Sequence, residues 1–230
     1  MIDTLTDIVL APGIREMIAQ AVEEDLGSGD VTSEALVPDD AQTSGHILAR
    51  ERCVVSGVTV ARAVFHYVDP ELDINILIDD GQVAEPGANL IQLKGRARSI
   101  LTAERVALNF MQRMSGIATL TEKYVQKAQP AGVQILDTRK TTPCLRGLEK
   151  HAVLCGGGTN HRLGLYDRVM IKDNHVALWK KDGTATMAGA VTVAKQKYPD
   201  LLVEVEVESF QALEDVLDAK PDWVLLDNME

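Results

Sequence analysis

Beyond residue 130, short apolar runs alternate with stretches of helical spacing, and this alternation constrains the fold more than any other feature. The predicted elements are strands at 133–136, 169–171, 202–207 and 223–226 and helices at 143–155, 186–198 and 209–219. Strand–helix alternation implies parallel strands joined by right-handed crossovers, in a barrel or a doubly wound sheet. Four strands are too few to close an eight-stranded barrel. The sequence therefore predicts an α/β fold with an open parallel sheet.

Before residue 115 the predicted elements are mixed, which is typical of a small α+β unit. Apolar residues at helical spacing predict a helix from Ile14 to Val22 that stops at a glycine turn. Ser115 and Gly116 predict a break in a later helical segment. The other predicted elements are strands at 45–50, 72–78 and 89–94 and helices at 57–68 and 98–128. We predict two domains, residues 1–115 and 116–230.

The composition is that of an ordinary globular protein, with 46% apolar and 25% charged residues. The 34 acidic and 23 basic residues give a net charge of −11, which argues against a protein whose whole surface binds nucleic acid. No run approaches the roughly 18 apolar residues of a membrane-spanning helix. The first ten residues carry two acids and no basic segment, so we expect no secretory signal.

The three cysteines, Cys53, Cys144 and Cys155, are widely spaced and include no CxxC pair. This pattern fits neither a disulfide framework nor a zinc cluster, and we expect a protein of the reducing cytoplasm. No evident base is paired with Cys144 or Cys155, so we interpret both as structural.

Charged residues follow or close each of the four predicted strands in the second half of the chain. Arg139 and Lys140 follow the first strand, Lys172 follows the second, Glu206 closes the third and Asp227 follows the fourth. In parallel barrels the working residues lie at the carboxyl ends of the strands. These five residues are therefore candidate site residues.

The third predicted strand has two chemically different faces. Residues 203–208 alternate valine and glutamate, so the carboxylates share one face and the valines share the other. On a parallel barrel strand the outer face is apolar because helices pack on it, and the glutamates would then face a cation-rich interior. An antiparallel strand with its glutamate side in water explains the same pattern, and both interpretations remain open.

One segment, residues 139–172, is basic within an acidic chain. Seven basic residues against two acidic ones give it a net charge of +5, while the remaining residues carry −16. Arginine binds carboxylate and phosphate groups through paired hydrogen bonds, so this segment suits ligands with several negative charges. The basic residues are Arg139, Lys140, Arg146, Lys150, Arg162, Arg168 and Lys172.

Three consecutive glycines at 156–158 lie inside the basic segment, shortly before His161 and Arg162. Glycines let backbone N–H groups approach an anion closely, although a glycine triplet is also a common flexible turn. His161 is either a general acid–base or a hydrogen-bonding anchor. The other histidines show no metal-ligand spacing, and no HExxH motif occurs: His46, His66, His151 and His175.

Several motifs, in order and spread over nearly the whole chain, resemble those of the quinolinate phosphoribosyltransferase family, the decarboxylating nicotinate-nucleotide pyrophosphorylases. They are EDLGSGDVT at 24–32, AERVALNF at 103–110, SGIAT at 115–119, LDTRKTTP at 136–143, GGGTNHRL at 156–163 and IKDNH at 171–175.

The resemblance implies an N-terminal α/β sandwich domain followed by an open parallel α/β barrel, which we expect to be truncated at the C-terminus. It implies a homodimer whose active sites include residues of both subunits. The implied reaction joins quinolinate to phosphoribosyl pyrophosphate with Mg²⁺ and gives nicotinate mononucleotide, pyrophosphate and CO₂, a step of de novo NAD biosynthesis. No organic cofactor is implied.

The resemblance also assigns roles to site residues. The implied substrate-binding residues are Arg105, Arg139, His161, Arg162 and Lys172. The implied catalytic residues are Lys140, Lys172, Glu206 and Asp227. The two acids lie on the ribose and metal side, where they are the candidate ligands of Mg²⁺. The arginine matching Arg105 reaches the site of the neighbouring subunit.

The sequence departs from the family pattern at two places. Cys144 stands where the family usually has glycine, which would alter the turn that presents Arg146. In the family, several further strands follow, and glycine-rich segments at their ends bind the 5′-phosphate of the donor. This sequence stops before them, so we expect a fragment or a different way of holding that phosphate.

Three other functions remain open on sequence. One is a paralogous phosphoribosyltransferase of the same fold that acts on another acidic ring. Another is an aldolase-like barrel in which Lys140 or Lys172 forms a Schiff base. The third is an inactive fragment that only binds a ligand.

Overall fold

The computed structural model describes residues 12–179 and 185–229, and the chain divides into two compact units between His161 and Arg162. The first ten residues, from which we expected no secretory signal, lie outside the described residues. Within 12–179 and 185–229, no helix combines the length and the apolar content needed to cross a membrane. The predicted domain division at residue 115 stays a prediction.

The described part of the first unit is a mixed α/β structure. Its helices are α1 (Pro12–Leu26), α2 (Val31–Leu36), α3 (Val58–Val68), α4 (Ala97–Ala128) and α5 (Arg146–Cys155), and a 3₁₀ turn (Gln129–Ala131) follows α4. Its strands are β1 (Gln42–Leu48), β2 (Cys53–Val54), β3 (Asp73–Ile76), β4 (Val83–Ala84) and β5 (Asn89–Arg96). The predicted helix at 57–68 and the three predicted strands are confirmed with small shifts at their ends, whereas α2, β2 and β4 were not predicted.

Strand β5 is the centre of an antiparallel sheet with the order β1-β5-β3, and β2 and β4 form a separate antiparallel pair. Along β5, Ile91 and Leu93 are buried while Gln92 and Lys94 are exposed. Alternation of this kind is expected when one face of an antiparallel sheet packs on a core and the other faces water.

The core of the first unit joins helices to this sheet. Phe65 of α3, Ile91 of β5 and Met114 of α4 are all less than 2% exposed and belong to one hydrophobic cluster. Full burial of a side chain of this size contributes about 1.5–3 kcal/mol. The amphipathic spacing of α3 and α4 therefore stabilises the unit through packing rather than through helix propensity alone.

The predicted break at Ser115 and Gly116 is wrong, because α4 runs through both residues without interruption for 32 residues. The Ser115 hydroxyl accepts a hydrogen bond from the Ser56 N–H at 3.0 Å and donates to the Ser56 carbonyl at 3.1 Å. These tertiary bonds, with burial of Met111 and Met114 on the same helix, outweigh the cost of about 1 kcal/mol for an internal glycine.

The predicted strand at 133–136 is reduced to a single parallel bridge between Leu136 and Thr159. Thr159 donates to the Ile135 carbonyl at 2.8 Å, and Asp137 donates to the Thr159 carbonyl at 3.1 Å. Val133 is 58% exposed, so the apolar residue at the start of the predicted strand is not buried in the first unit.

The second unit contains the strand–helix alternation that the sequence predicted. Its strands β6 (Val169–Ile171), β7 (Val203–Val207) and β8 (Trp223–Leu226) are parallel and lie in the order β6-β7-β8. Its described helices are α6 (Asp173–Leu178), α7 (Met187–Lys197) and α8 (Phe210–Leu217). The α/β fold class is confirmed, and the antiparallel alternative for the glutamate-rich strand is wrong.

The valine face of β7 is the centre of the second core. Val203, Val205 and Val207 are at most 1% exposed and cluster with Val191 of α7 and Val216 of α8. The glutamates of β7 therefore lie on the opposite face, as the period-two alternation requires.

Side-chain caps fix the starts of the helices in this unit. The Thr186 hydroxyl accepts from the Gly189 N–H at 3.0 Å, and the Ser209 hydroxyl accepts from the Ala212 N–H at 3.2 Å. These hydroxyls satisfy N–H groups that the first helical turn leaves unpaired. The unpredicted α6 starts where the Lys172 N–H donates to His175 Nδ1 at 2.9 Å, which gives His175 a local capping role.

Candidate functional site

The candidate residues of the second unit gather at the carboxyl edge of its parallel sheet. Lys172 follows β6 directly, and its Nζ lies 2.5 Å from Oε2 of Glu206 on β7. The register pairs Ile171 with Val205, so the next residues, Lys172 and Glu206, are neighbours by backbone geometry. The Lys172 side chain is 39% exposed and that of Glu206 is 14% exposed, so this ion pair is open to solvent on the lysine side.

A second ion pair lies deeper along the same face of β7. Arg168 Nη1 is 3.3 Å from Oε2 of Glu204, and these side chains are 10% and 3% exposed. The guanidinium of Arg168 also stacks on Trp223 of β8, 4.1 Å from the ring centre. The glutamates of β7 thus face cations, as the parallel interpretation predicted.

Asp227 extends the same edge at the end of β8. Its N–H donates to the Val207 carbonyl at 2.9 Å, and one carboxylate oxygen accepts from the Asn228 amide at 3.3 Å. Lys172, Glu206 and Asp227 therefore occupy one edge of one sheet. Arg162 belongs to the same unit, and its guanidinium donates to the Arg168 carbonyl at 3.4 Å.

In the first unit, the candidate residues lie in the loop before α5 and in the segment after it. Arg139 is half-buried, and its Nε is buried without a hydrogen-bond partner among the residues that the structure describes. Lys140 is exposed, and its N–H donates to the Thr138 hydroxyl at 3.0 Å. The loop therefore offers two cationic side chains, one partly sheltered and one in solvent.

The turn between this loop and α5 contains the predicted departure at Cys144. Cys144 has a φ of 66°, a left-handed conformation that favours glycine, so its Cβ is accommodated with backbone strain. Arg146 nevertheless donates from Nε to the Thr141 hydroxyl at 3.1 Å, and the Leu145 N–H donates to the Thr142 carbonyl at 3.1 Å. The turn is formed with cysteine at this position.

The carboxylate of Glu149, on α5, holds the loop that precedes this helix. Glu149 accepts from Arg113 Nε at 3.1 Å and from the Thr142 N–H at 3.1 Å. Burial alone would raise the pKa of Glu149, but the bonds from Arg113 and Thr142 outweigh it and hold the pKa below its usual range. The loop is therefore fixed to α4 and α5 by an ionised carboxylate.

His161 is positioned by a buried ion pair that the sequence interpretation missed. Asp137 Oδ1 accepts from Lys150 Nζ and from the His161 N–H, the latter at 2.8 Å. Lys150 also donates to the His161 carbonyl at 3.3 Å, and the two charged side chains are 2% and 7% exposed. The signal for this pair was weak, because Lys150 was one of seven basic residues and Asp137 precedes the basic segment.

Packing and backbone conformation require the glycine triplet, whether or not it also binds a ligand. A Cβ at Gly156 would collide with the Ala118 carbonyl oxygen of α4, and a Cβ at Gly158 would lie 2.7 Å from Cγ1 of Val153. Gly157 has a φ of 81°. Each glycine is therefore required by the packing or the backbone, and the anion-binding interpretation of the triplet stays a prediction.

The predicted residues are divided between the two units. Lys172, Glu206 and Asp227 share one sheet edge in the second unit. In the first unit, Arg139 lies in the loop before α5 and His161 lies in the segment after it. Arg105 lies on α4 with its side chain exposed. These features define a mixed α/β protein that concentrates cations and carboxylates at the ends of parallel strands.

Comparison with known proteins is consistent with this description. Residues 30–115 match the model of the quinolinate phosphoribosyl transferase N-terminal domain, and residues 117–230 match that of the C-terminal domain. The chain belongs to the quinolinate phosphoribosyltransferase family.

Individual relatives resemble nearly the whole chain. It is 42% identical over 223 residues to the mitochondrial quinolinate phosphoribosyltransferase [decarboxylating] 2b of Nicotiana tabacum, covering 94% of this chain and 63% of the relative. It is 41% identical over 217 residues to the nicotinate-nucleotide pyrophosphorylase [carboxylating] of Mycobacterium leprae, covering 93% and 75%. The solved nicotinate-nucleotide pyrophosphorylase of Francisella tularensis is 38% identical with a TM-score of 0.89, covering 98% and 76%. The chain therefore spans less than two thirds of the plant relative's length.

Proposed function

We propose that this chain transfers the phosphoribosyl group of phosphoribosyl pyrophosphate to quinolinate with decarboxylation, giving nicotinate mononucleotide, pyrophosphate and CO₂ in de novo NAD biosynthesis. Family membership supports the proposal. The observation that carries it is the Lys172–Glu206 pair, a cation and a carboxylate held 2.5 Å apart at the carboxyl edge of parallel strands. That edge is where α/β proteins of this kind place their chemistry.

The charge of the substrates fits the charge of the basic segment. Quinolinate is a dianion and the sugar donor carries several more negative charges, whereas residues 139–172 carry +5 in an otherwise acidic chain. Paired hydrogen bonds from Arg105, Arg139 and Arg162 suit carboxylates. His161, fixed through Asp137, is the proposed hydrogen-bonding anchor for the acidic ring.

The reaction creates charge of both signs, and the sites contain groups of both signs. Loss of CO₂ leaves electron density beside the ring nitrogen, and the cations of Lys140 and Lys172 stabilise it. Departure of pyrophosphate leaves an oxocarbenium-like ribose, and the carboxylates of Glu206 and Asp227 stabilise that positive charge or hold the ribose hydroxyls. Much of the rate enhancement then comes from positioning two charged substrates.

Mg²⁺ is the proposed metal, bound together with the pyrophosphate of the donor. Mg²⁺ prefers carboxylate and phosphate oxygens, and Glu206 and Asp227 offer carboxylate oxygens along one sheet edge. Since Oε2 of Glu206 is already bonded to Lys172, Asp227 is the less committed of the two ligands. When bound, the ion would neutralise charge on the leaving pyrophosphate.

The proposed assembly is a homodimer in which Arg105 serves the neighbouring subunit's site. The exposure of Arg105 on α4 supports this arrangement. A cytoplasmic location also stays a prediction. Its support is that Cys53, Cys144 and Cys155 are all unpaired, whereas the Nicotiana tabacum relative is named as mitochondrial.

The direct test uses the purified chain with quinolinate labelled in the carboxyl group that is lost, phosphoribosyl pyrophosphate and Mg²⁺. We expect labelled CO₂ and nicotinate mononucleotide in equal amounts, both dependent on the donor. A chain that processes another acidic ring but not quinolinate would be a paralogous transferase. Quinolinate binding by calorimetry without product would identify a ligand-binding fragment, and trapping of a carbonyl substrate by borohydride would identify a Schiff-base enzyme.

A further inference from the structure

Three different metal-binding side chains, none of them a candidate site residue named above, converge inside the first unit. One donor atom from each of Asp80, His151 and Cys155 lies within 4.8 Å of the other two. Their residues are 9%, 5% and 8% exposed, so the cluster is buried. Buried groups of this polarity require partners that satisfy them.

The fold brings these residues together from distant parts of the sequence. His151 and Cys155 are four residues apart on α5, and therefore share one face of the helix. Asp80 comes from the turn between β3 and β4, and its Oδ1 accepts from the Val58 N–H at the start of α3 at 2.9 Å. The Asp80 carboxylate is thus fixed by the backbone before any ligand binds.

The donor set has the chemistry and the charge that suit zinc. Imidazole nitrogen, carboxylate oxygen and thiolate sulfur are the ligands that Zn²⁺ takes in proteins. A carboxylate and a thiolate together carry two negative charges, which one divalent cation neutralises. Ser56 is fully buried, and its hydroxyl lies 3.3 Å from the Cys155 sulfur, where an oxygen ligand would complete a four-coordinate site.

We propose that Asp80, His151 and Cys155 bind one Zn²⁺ ion, with the Ser56 hydroxyl or a water as the fourth ligand. Binding releases the thiol proton of Cys155, because thiolate is the metal-ligating form. The ion would fasten α5 to the start of α3 and to the β3–β4 turn. This is a structural role, separate from the proposed transfer reaction.

The competing interpretation is a metal-free polar network. His151 Nε2 lies 3.0 Å from Asp80 Oδ2, and the Ser56 hydroxyl donates to the Cys155 sulfur. These bonds satisfy the cluster without an ion. A test must therefore measure the metal itself and must distinguish Cys155 from the other thiols.

The primary experiment measures zinc per chain after refolding with Zn²⁺ and dialysis, by elemental mass spectrometry. We expect one equivalent in the wild type and a loss of affinity of at least about 100-fold in Cys155→Ser. Cys144→Ser and His46→Gln, which change an exposed cysteine and an exposed histidine, should keep the equivalent. Absence of bound zinc in the wild type, or its loss in Cys144→Ser rather than Cys155→Ser, overturns the proposal.

A second measurement on the wild type does not depend on how well a variant folds. Replacement of zinc by Co²⁺ should give the near-ultraviolet charge-transfer absorption of a cobalt–thiolate bond. Zinc should also slow alkylation of Cys155, followed by peptide mapping, while Cys53 and Cys144 react at unchanged rates. A cobalt spectrum without thiolate absorption, or equal alkylation of Cys155 with and without zinc, contradicts the assignment.

Discussion

Lys172 and Glu206 form an ion pair across two adjacent parallel strands, with Nζ and Oε2 2.5 Å apart. The pair lies one residue beyond the last β6 residue in the register, so its geometry is set by the β6–β7 ladder. A solvent-facing lysine held in this way is available to an anionic substrate at little cost in side-chain entropy, because its position is already restricted.

Replacing Lys172 with Met should lower nicotinate mononucleotide formation on the order of 10²–10³-fold, because it removes a fixed cation from the place where negative charge develops in the proposed reaction. The free energy of unfolding should change by less than about 1 kcal/mol, since the pair is partly exposed. Steady-state kinetics and urea unfolding measure the two effects. The matched control is Lys195→Met, which breaks a surface pair with Asp222 at 3.1 Å and should leave turnover unchanged.

Replacing Lys140 with Ala should remove most turnover while the chain stays folded. Lys140 is exposed, and among the residues that the structure describes only its backbone N–H is hydrogen-bonded. The circular dichroism spectrum and the Tm should match those of the wild type. Lys127→Ala, at the exposed end of α4, serves as the control for loss of a surface charge. Near-normal product formation by Lys140→Ala would remove Lys140 from the catalytic set.

Replacing Lys150 with Met should destabilise the chain by about 3–5 kcal/mol, because it leaves the buried Asp137 carboxylate without its cation. The double variant Lys150→Met/Asp137→Leu should recover part of that loss, since no unpaired charge remains. Urea unfolding of the wild type and of both variants measures this. Equal stability of Lys150→Met and the wild type would show that the pair is not coupled in solution.

Two glycine-to-alanine changes should have opposite effects on stability. Gly116→Ala should stabilise the chain by about 0.5–1 kcal/mol, because Gly116 lies inside α4. Apart from its own helical turn, no atom of the described residues comes within 4 Å of the position that the alanine Cβ would take. Gly156→Ala should destabilise it by about 1–3 kcal/mol, because its Cβ meets the Ala118 carbonyl of α4. Thermal unfolding followed by circular dichroism compares them, and a change of the same sign in both variants would contradict the packing.

The Asp69–Arg96 pair should make the free energy of unfolding depend on pH in the acid range. Hydrogen bonds from Arg96 lower the pKa of Asp69 from 3.8 to about 2, burial opposes them, and further bonds from Ser99 and the Glu71 N–H add to the lowering. Because the folded-state pKa is depressed, this stabilisation is complete above about pH 4 and is lost as the pH falls towards 2.

The measurement is the difference in free energy of unfolding between the wild type and Asp69→Asn at several pH values. We expect a difference of about 1–2 kcal/mol near neutral pH, because the bond is charge-assisted but half of the Arg96 side chain is in solvent. The difference should shrink between about pH 4 and pH 2. A difference that stays constant over that range would show that Asp69 does not titrate as the geometry requires.

Periodicity predicted the elements whose burial is regular. The valine–glutamate alternation of β7 and the apolar spacing of α3 are local patterns, and each appears in the structure with the predicted faces or bounds. Local signals failed where distant residues decide the conformation. Ser115 and Gly116 predicted a break in the helix, but hydrogen bonds between Ser115 and Ser56, 59 residues away, stabilise a continuous helix.

The charged residues of the candidate site could be predicted from the sequence, but the buried residues that position them could not. Lys172, Glu206 and Asp227 follow from the rule that parallel strands present functional groups at their carboxyl ends. The buried Asp137–Lys150 pair could not be inferred, because nothing local distinguishes a buried lysine from an exposed one. The same is true of Asp80, whose partner His151 lies 71 residues further along the chain.

The length of α4 has a geometric consequence for Arg105. At 1.5 Å per residue, Arg105 and Ala118 are separated by about 20 Å along the helix axis, and Ala118 is where the glycine triplet rests against α4. The helix therefore works as a spacer that keeps this arginine far from its own chain's glycine triplet. In the proposed homodimer, Arg105 of each subunit contributes to the active site of the other. A subunit defective only at Arg105 would therefore impair its neighbour's active site and leave its own intact.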